Sequence, residues 1–168
     1  MTVAMGKMPG MTLEMHKDFR DNLPEKSKLL SPEAAIEDLP DIDGLRARIT
    51  TITMPSMMVS NRSVVNVFYE KQDGDSLWVV NTSRGNEEVV KEDAIKKKIG
   101  KNVVATNHYN CGKLTPYDGG LYIQNAQCFD VAGSIPSFIV KKGAARGVKT
   151  LERLYHVITT GTAPPKDD

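Results

Sequence analysis

The sequence predicts an α+β domain in which an antiparallel sheet packs against one long C-terminal helix. Three observations carry that expectation. Ser63 to Glu70 (SVVNVFYE) and Ser76 to Thr82 (SLWVVNT) are strand-like runs flanking the turn Gln72-Asp73-Gly74-Asp75, which together read as a hairpin. Further β-rich runs at Leu45 to Met54, Lys101 to Tyr109 and Leu121 to Phe129 continue the pattern, so consecutive strands make an antiparallel meander. Near the C-terminus, Val140, Ala144, Val148, Leu151, Leu154 and Ile158 recur at spacings of three and four, which places them on one helical face.

Each element follows from local chemistry. Thr2 to Met8 reads as a strand and Pro9-Gly10 as a turn. Thr12 is a helix cap before Leu13 to Arg20, and Pro24 ends that helix. Asn22 to Pro40 holds three prolines and reads as loop, interrupted by a strand near Ala34 to Leu39. Pro55 to Ser60 is a connection, and Asn86 to Lys98 is charged and helix-like or irregular. Pro116 to Gly120 is a turn. Ser134 is placed to cap the closing helix, and Pro136 is tolerated in a first turn, where its missing N–H has no partner to lose. We expect a single domain over 1–160 and a disordered tail over 161–168.

Composition narrows the function classes. A net charge of +1 gives no global field toward nucleic acid or membrane, so any basic surface is local. No run of about 18 apolar residues is present, so no spanning helix is expected. The start of the chain lacks the apolar core of a signal peptide. The two cysteines, Cys111 and Cys128, do not make a disulfide framework, which points to a reducing, cytoplasmic compartment. The histidines and cysteines show no CxxC or HExxH spacing, so no metal is expected. His108 and Cys111 are three apart, an odd spacing that sets them on opposite faces of a strand. There is no P-loop and no GxGxxG, and basic and aromatic residues are not interleaved, so nucleic acid is not an expected partner.

Three stretches, in this order, resemble the START family, the lipid-transfer domains related to steroidogenic acute regulatory protein. MPSMMVSNRSVVNVFYE (Met54 to Glu70) resembles the family's proline-to-Ser-Arg-Asp entry into a central strand. Trp78 to Ser83 resembles its next strand, ending in serine. Asp130-Val131-Ala132-Gly133-Ser134-Ile135-Pro136 is similar to its D-x-G-G-S-I-P lead into the C-terminal helix. The resemblance covers Pro9 to Ile158. It implies a helix-grip fold around a lipid-sized tunnel, and binding or transfer of one lipid or sterol without catalysis or cofactor.

The sequence departs from that family at three places. The family begins with a helix and two further strands, so here one sheet edge is expected to be exposed and open to a protein partner. The Arg-Asp pair becomes Arg62-Ser63. Sterol-handling members hold a buried carboxylate and arginine at positions that count to Ile49 and Phe68 here, both apolar, which favours an apolar ligand or a filled core.

The expected ligand lining follows. Strand alternation groups Ile49, Thr51 and Ala47 with Val64, Asn66 and Phe68 on one face, opposite Val140, Ala144, Val148 and Leu151 of the helix. Arg62, at a strand start, is expected to hold the loop at the cavity mouth by pairing with a carboxylate. Met57 and Met58 are expected to form a soft lid there. Lys142, Arg146, Lys149 and Arg153 form a basic helix face suited to transient docking on an anionic membrane. The rival expectation is a scaffold subunit with a filled core. A cyclase- or hydrolase-like enzyme needs a convergent acid and base, which the assigned inward positions do not offer.

Overall fold

The structure is a computed structural model, and it describes residues 1–55, 59–133, 135–136 and 149–165. In chain order it contains β1 (Thr2–Pro9), α1 (Leu13–Asp21), α2 (Leu23–Leu30), β2 (Ala34–Ile42), β3 (Leu45–Ile52), β4 (Arg62–Asp73) and β5 (Ser76–Thr82). A 3₁₀ turn (Val89–Lys91) and α3 (Asp93–Ile99) follow, then β6 (Val103–Val104), β7 (Thr106–Tyr117), β8 (Gly120–Asp130) and α4 (Thr150–Thr160). The fold is α+β, as the strand runs and the closing helix predict.

The strands form one sheet in the order β1-β8-β7-β5-β4-β3-β2, with β6 pairing in parallel to β4. The pairs along the main path are antiparallel, so β2 to β8 form the expected meander. β1 joins it from the far side, against β8. That closure depends on Gly120. A Cβ there would lie 2.3 Å from the Met8 carbonyl oxygen, so only glycine lets β1 approach the start of β8. Asp43 and Gly44 both have positive φ and link β2 to β3 in a two-residue hairpin, the conformation that a primed turn requires.

Two stretches differ from expectation. Pro24 does not lead into loop; it occupies the first turn of α2, where a proline loses no hydrogen bond. The expected strand over Lys101 to Tyr109 is two elements, the short β6 and the long β7, which runs on to Tyr117.

Register sorts the side chains onto two faces. Ala47 lies across from Val67, Ile49 across from Val65 and Thr51 across from Ser63. Arg48 lies across from Asn66 and Thr50 across from Val64. Residues directly opposite share a face. Ile49, Thr51 and Ala47 are therefore on the face opposite to Val64, Asn66 and Phe68, which corrects the expected grouping. A slip of one residue in a strand exchanges its two faces, and that is the size of the difference here.

Each face carries its own core. On the outer face, Leu39, Ala47, Ile49, Val65 and Val67 pack beneath Ile95 and Ile99 of α3. On the other, the gripped face, Met8, Val79, Leu114, Leu121 and Ile123 pack against Leu151 of α4, joined by Leu154, Tyr155 and Ile158. Burying a leucine such as Leu151 contributes roughly 2 kcal/mol. Gly161, at φ 69°, closes α4 in the left-handed conformation, with its N–H on the Val157 carbonyl.

Candidate functional site

The gripped face is the candidate site, because it lies between the sheet and the closing helix. Its floor changes character from one end to the other. Beneath α4, on β1, β8 and the turn-proximal parts of β5 and β7, it is aliphatic. Toward the middle of β4, β5 and β7 it becomes a row of carboxamides.

That row follows from the pairing. Phe68 faces Asn81, Asn81 faces Asn110, and Gly112 faces Asn125. Asn66 is two residues along β4 from Phe68, on the same face. A register shift in β7 between Asn107 and Tyr109 turns Asn107 onto this face as well. Asn107 Nδ2 donates to Asn66 Oδ1 at 2.9 Å and to Asn81 Oδ1 at 2.7 Å, and reaches the Asn81 carbonyl at 3.2 Å. Asn125 Nδ2 donates to Asn110 Oδ1 at 2.7 Å. Asn66 and Asn107 are buried, and Asn81, Asn110 and Asn125 are half-buried.

Two buried arginines stand on the same face, and both are engaged by the fold. Arg48, only 2% exposed, donates from Nε to Asp38 Oδ1 at 2.6 Å and from Nη1 and Nη2 to the Arg20 and Asp21 carbonyls at 2.7 and 3.2 Å. It thus places a cation on the negative end of α1. Its guanidinium also lies 5.5 Å from the Phe68 ring centroid. The buried arginine nearest to that count is therefore Arg48, next to the Ile49 to which the count along the strand led.

Arg62 is also buried, but its partners are backbone carbonyls rather than the expected carboxylate. Nε reaches Val131 O at 2.9 Å, Nη2 reaches Ala132 O at 3.0 Å, and Nη1 bonds to Ser60 O. These contacts tie the loop before β4 to the segment that leads toward the C-terminal helix. Asp130 shapes that segment by accepting the Ala132 N–H at 2.8 Å. Ala132 and Gly133 both take positive φ, at 53° and 69°. The Asp-x-Ala-Gly run is thus a built bend with Arg62 as its clamp.

Near α1, His16 is buried, and that burial, reinforced by the nearby Arg20 charge, pulls its pKa down to about 4. Arg20 reaches Glu70 Oε1 at 2.5 Å. His16 therefore sits in the fold as a neutral imidazole at physiological pH.

The expected site residues divide as follows. Val64, Asn66 and Phe68 lie on the gripped face with Leu151. Ile49 belongs to the outer core, and Thr51 Oγ1 meets Ser63 Oγ at 3.3 Å on that same side. Met57, Met58, Val140, Lys142, Ala144, Arg146 and Val148 lie outside the described residues. Lys149 is exposed. Arg153, expected on a membrane-facing surface, turns inward and donates to the Leu30 carbonyl at 3.2 and 2.8 Å, so it caps the C-terminus of α2. Asn81, Asn107, Asn110, Asn125 and Arg48 were not expected. For Asn81 the signal was available: counting outward from the Gly74-Asp75 turn pairs it with Phe68.

Two clefts flank α4. One of about 540 Å³ lies between β1 and α4 and includes Met5, Met8, Leu151, Tyr155 and Thr159 in its walls. One of about 160 Å³ lies among α1, α2 and the end of α4, near Met15, Phe19 and Ile158. Of the expected lining residues that the structure describes, only Leu151 borders either. Among the described residues, no cluster of three or more His, Cys, Asp or Glu side chains gathers as a metal site, and no helix is long and apolar enough to cross a membrane.

Solved structures share this architecture. The crystal structure of human STARD10 superposes with a TM-score of 0.72 at 14% identity, covering 92% of this chain. This chain spans 61% of the STARD10 structure's length. Human StAR-related lipid transfer protein 5 gives 0.67 at 13% identity, over 94% of this chain and 74% of its own. A STAR-related lipid transfer protein fragment from Xanthomonas axonopodis gives 0.67 at 18% identity, over 93% and 84%. No family model and no curated protein matches the sequence. The chain has a START-like, helix-grip α+β fold.

Proposed function

We propose, from that START-like fold, that the chain is a lipid-binding or lipid-transfer domain. It holds one largely apolar ligand, a lipid or sterol, between the gripped face of the sheet and the C-terminal helix. The observation that carries this reading is the way α4 sits. Its apolar side, led by Leu151, covers only the aliphatic end of the gripped face, and Val64, Asn66 and Phe68 line the same face beyond it. Solved structures of the same fold are named as lipid transfer proteins, which supports the reading. Val140, Ala144 and Val148 supply the rest of the apolar wall in this proposal, and Met57 and Met58 a soft cover at the mouth. Ile49 and Thr51 are no longer part of the lining.

Binding needs no chemistry beyond burial. Each CH₂ taken out of water contributes roughly 0.8 kcal/mol, so an ordinary acyl chain supplies ample affinity. The proposal includes no catalytic step and no cofactor. It includes transient contact with anionic membrane through Lys142, Arg146 and Lys149, while Arg153 is already engaged by α2. It sets the protein in a reducing, cytoplasmic compartment, in keeping with free Cys111 and Cys128. The test is uptake and transfer of fluorescent sterol, acylglycerol and phospholipid between vesicles. Saturable uptake of at least one probe, at one per chain, is expected; no uptake of any probe overturns the reading.

One observation favours a second reading, a scaffold role in a larger assembly. β1 lies at the sheet edge with Val3 53% and Met5 60% exposed, a place where a partner strand fits. Size measurement on the purified chain separates the two readings. A lipid-loaded monomer favours the first, and a lipid-free obligate oligomer the second.

A further inference from the structure

The carboxamide row does more than hold strands together, and its hydrogen-bond accounting shows where the surplus lies. Asn107 donates to Asn66 Oδ1 and Asn81 Oδ1, which fixes both of those side chains as acceptors toward it. Their Nδ2 groups therefore point away from Asn107. Asn125 fixes Asn110 in the same way. Among the described residues, Nδ2 of Asn66, Asn81 and Asn110 donates to nothing, and Asn125 Oδ1 accepts from nothing. Asn66 is only 7% exposed, yet its Nδ2 is not among the fully buried side-chain atoms that lack a partner, so this donor is still open at the face. Covering an amide group with apolar atoms and no hydrogen-bond partner costs stability, so whatever lies over the row must complete these groups or leave them to water. Four such groups lie together across β4, β5, β7 and β8.

The charges on the same face exclude one class of completion. A buried phosphate or carboxylate needs a cation in contact with it. The strand arginines on the gripped face are Arg46, Arg48 and Arg62, and α1 adds Arg20, which bonds Glu70 at 2.5 Å. Arg46 bonds Asp21 at 2.6 Å, Arg48 bonds Asp38 and the end of α1, and Arg62 bonds three backbone carbonyls. No lysine shares the inward register positions of β3, β4, β5, β7 or β8. Bare hydrocarbon is excluded by the opposite argument, since it leaves all four amides idle.

We propose that the row is the headgroup site of the lipid-binding reading above, on which this inference rests, and that it takes a neutral lipid bearing hydroxyl and carbonyl groups. Three amide donors match ester, amide or hydroxyl oxygens. The Asn125 carbonyl matches one ligand hydroxyl. The acyl chain then runs from the row along Phe68 and Val64 or toward the aliphatic end. Selection comes from neutral hydrogen bonds, not from charge pairing.

The test titrates the full chain with three fluorescent probes of equal chain length: a monoacylglycerol, a lysophosphatidic acid and an alkane. The variants are Asn81→Asp, which still accepts from Asn107 but offers no N–H, and Asn110→Leu, which removes a donor without adding charge. Thermal melting confirms that each is folded. We expect the parent chain to bind the monoacylglycerol about tenfold or more above both other probes, and each variant to lose about tenfold for it while alkane binding is unchanged. Equal binding of monoacylglycerol and alkane, or a preference that survives both variants, overturns the headgroup site while leaving lipid binding intact. Tightest binding of the phosphate-bearing probe overturns the neutral-ligand assignment. Failure of the parent chain to bind any probe overturns the lipid-binding reading itself and this inference with it.

Discussion

The two ends of the gripped face are built from opposite materials. At the β1 end, Met8, Leu114, Leu121 and Ile123 meet Leu151 of α4, and the contact is a hydrocarbon core closed by packing. At the β4 to β7 end, Asn66, Asn81, Asn107 and Asn110 occupy the positions that aliphatic residues hold elsewhere. The first end is complete as it stands. The second has spare hydrogen-bonding capacity. A sheet that needed only to hold its helix would have no use for the second kind of floor. On the proposed reading, the difference separates stability from recognition along one surface: one end anchors the helix, and the other is where a ligand would be chosen.

Mutation should separate the two ends. Leu114→Ala, in the fully buried aliphatic end, should destabilise by about 3 kcal/mol in chemical denaturation. It should leave the preference among lipid headgroups unchanged; a large change in preference with little loss of stability would dissolve the distinction. Acid provides a second lever, through the α1 side of the face. Unfolded His16 titrates near 6.5 and folded His16 near 4, so within that window the unfolded chain binds the extra proton. Stability is therefore full above about 6.5 and falls as pH drops toward 4, by roughly 3 kcal/mol at the limit. His16→Leu should flatten that part of the stability–pH curve, which denaturation at several pH values measures directly.

At the amide end, Asn107→Leu removes the donor shared by Asn66 and Asn81, and about 2 kcal/mol should be lost. Unlike Leu114→Ala, it should also weaken headgroup preference, because Asn66 and Asn81 are then free to turn. The smallest effect is expected at the bend before the C-terminal helix. Ala132 holds φ at 53°, a left-handed conformation that strains any Cβ. Ala132→Gly should raise stability by up to about 1 kcal/mol, the relief of strain outweighing the added freedom of the unfolded chain. A fall in melting temperature would show that the bend is not strained.

The aliphatic end was legible in the sequence and the amide end was not, for the same physical reason. Strands are read from alternation of apolar and polar residues, and the floor beneath α4 supplies it. β7 hides its own because its inward positions include Asn107, Asn110 and Gly112, so the expected strand stops at Tyr109 while the real one runs to Tyr117. Within the β4–β5 hairpin a tight turn fixes register, so the pairing of Phe68 with Asn81 could be counted from the sequence, although it was not. Face assignment failed between β3 and β4, where residues 53–61 intervene and no turn carries the count, so Ile49 was put in the place that Arg48 holds. Arg153 shows a further limit. Its helical spacing matches a basic outer face, but its guanidinium reaches a carbonyl of α2 that only the tertiary fold brings near. The lead from Asp130 was legible only through its resemblance to a family motif, whose residues fit the bend that Ala132 and Gly133 make here.

Native mass spectrometry of the chain purified from cells, followed by extraction and identification of whatever dissociates, tests the central claim most directly. The account predicts one lipid per chain, neutral and hydroxyl-bearing. A chain that repeatedly arrives at its bare sequence mass, and stays there after incubation with mixed lipid vesicles, would contradict it.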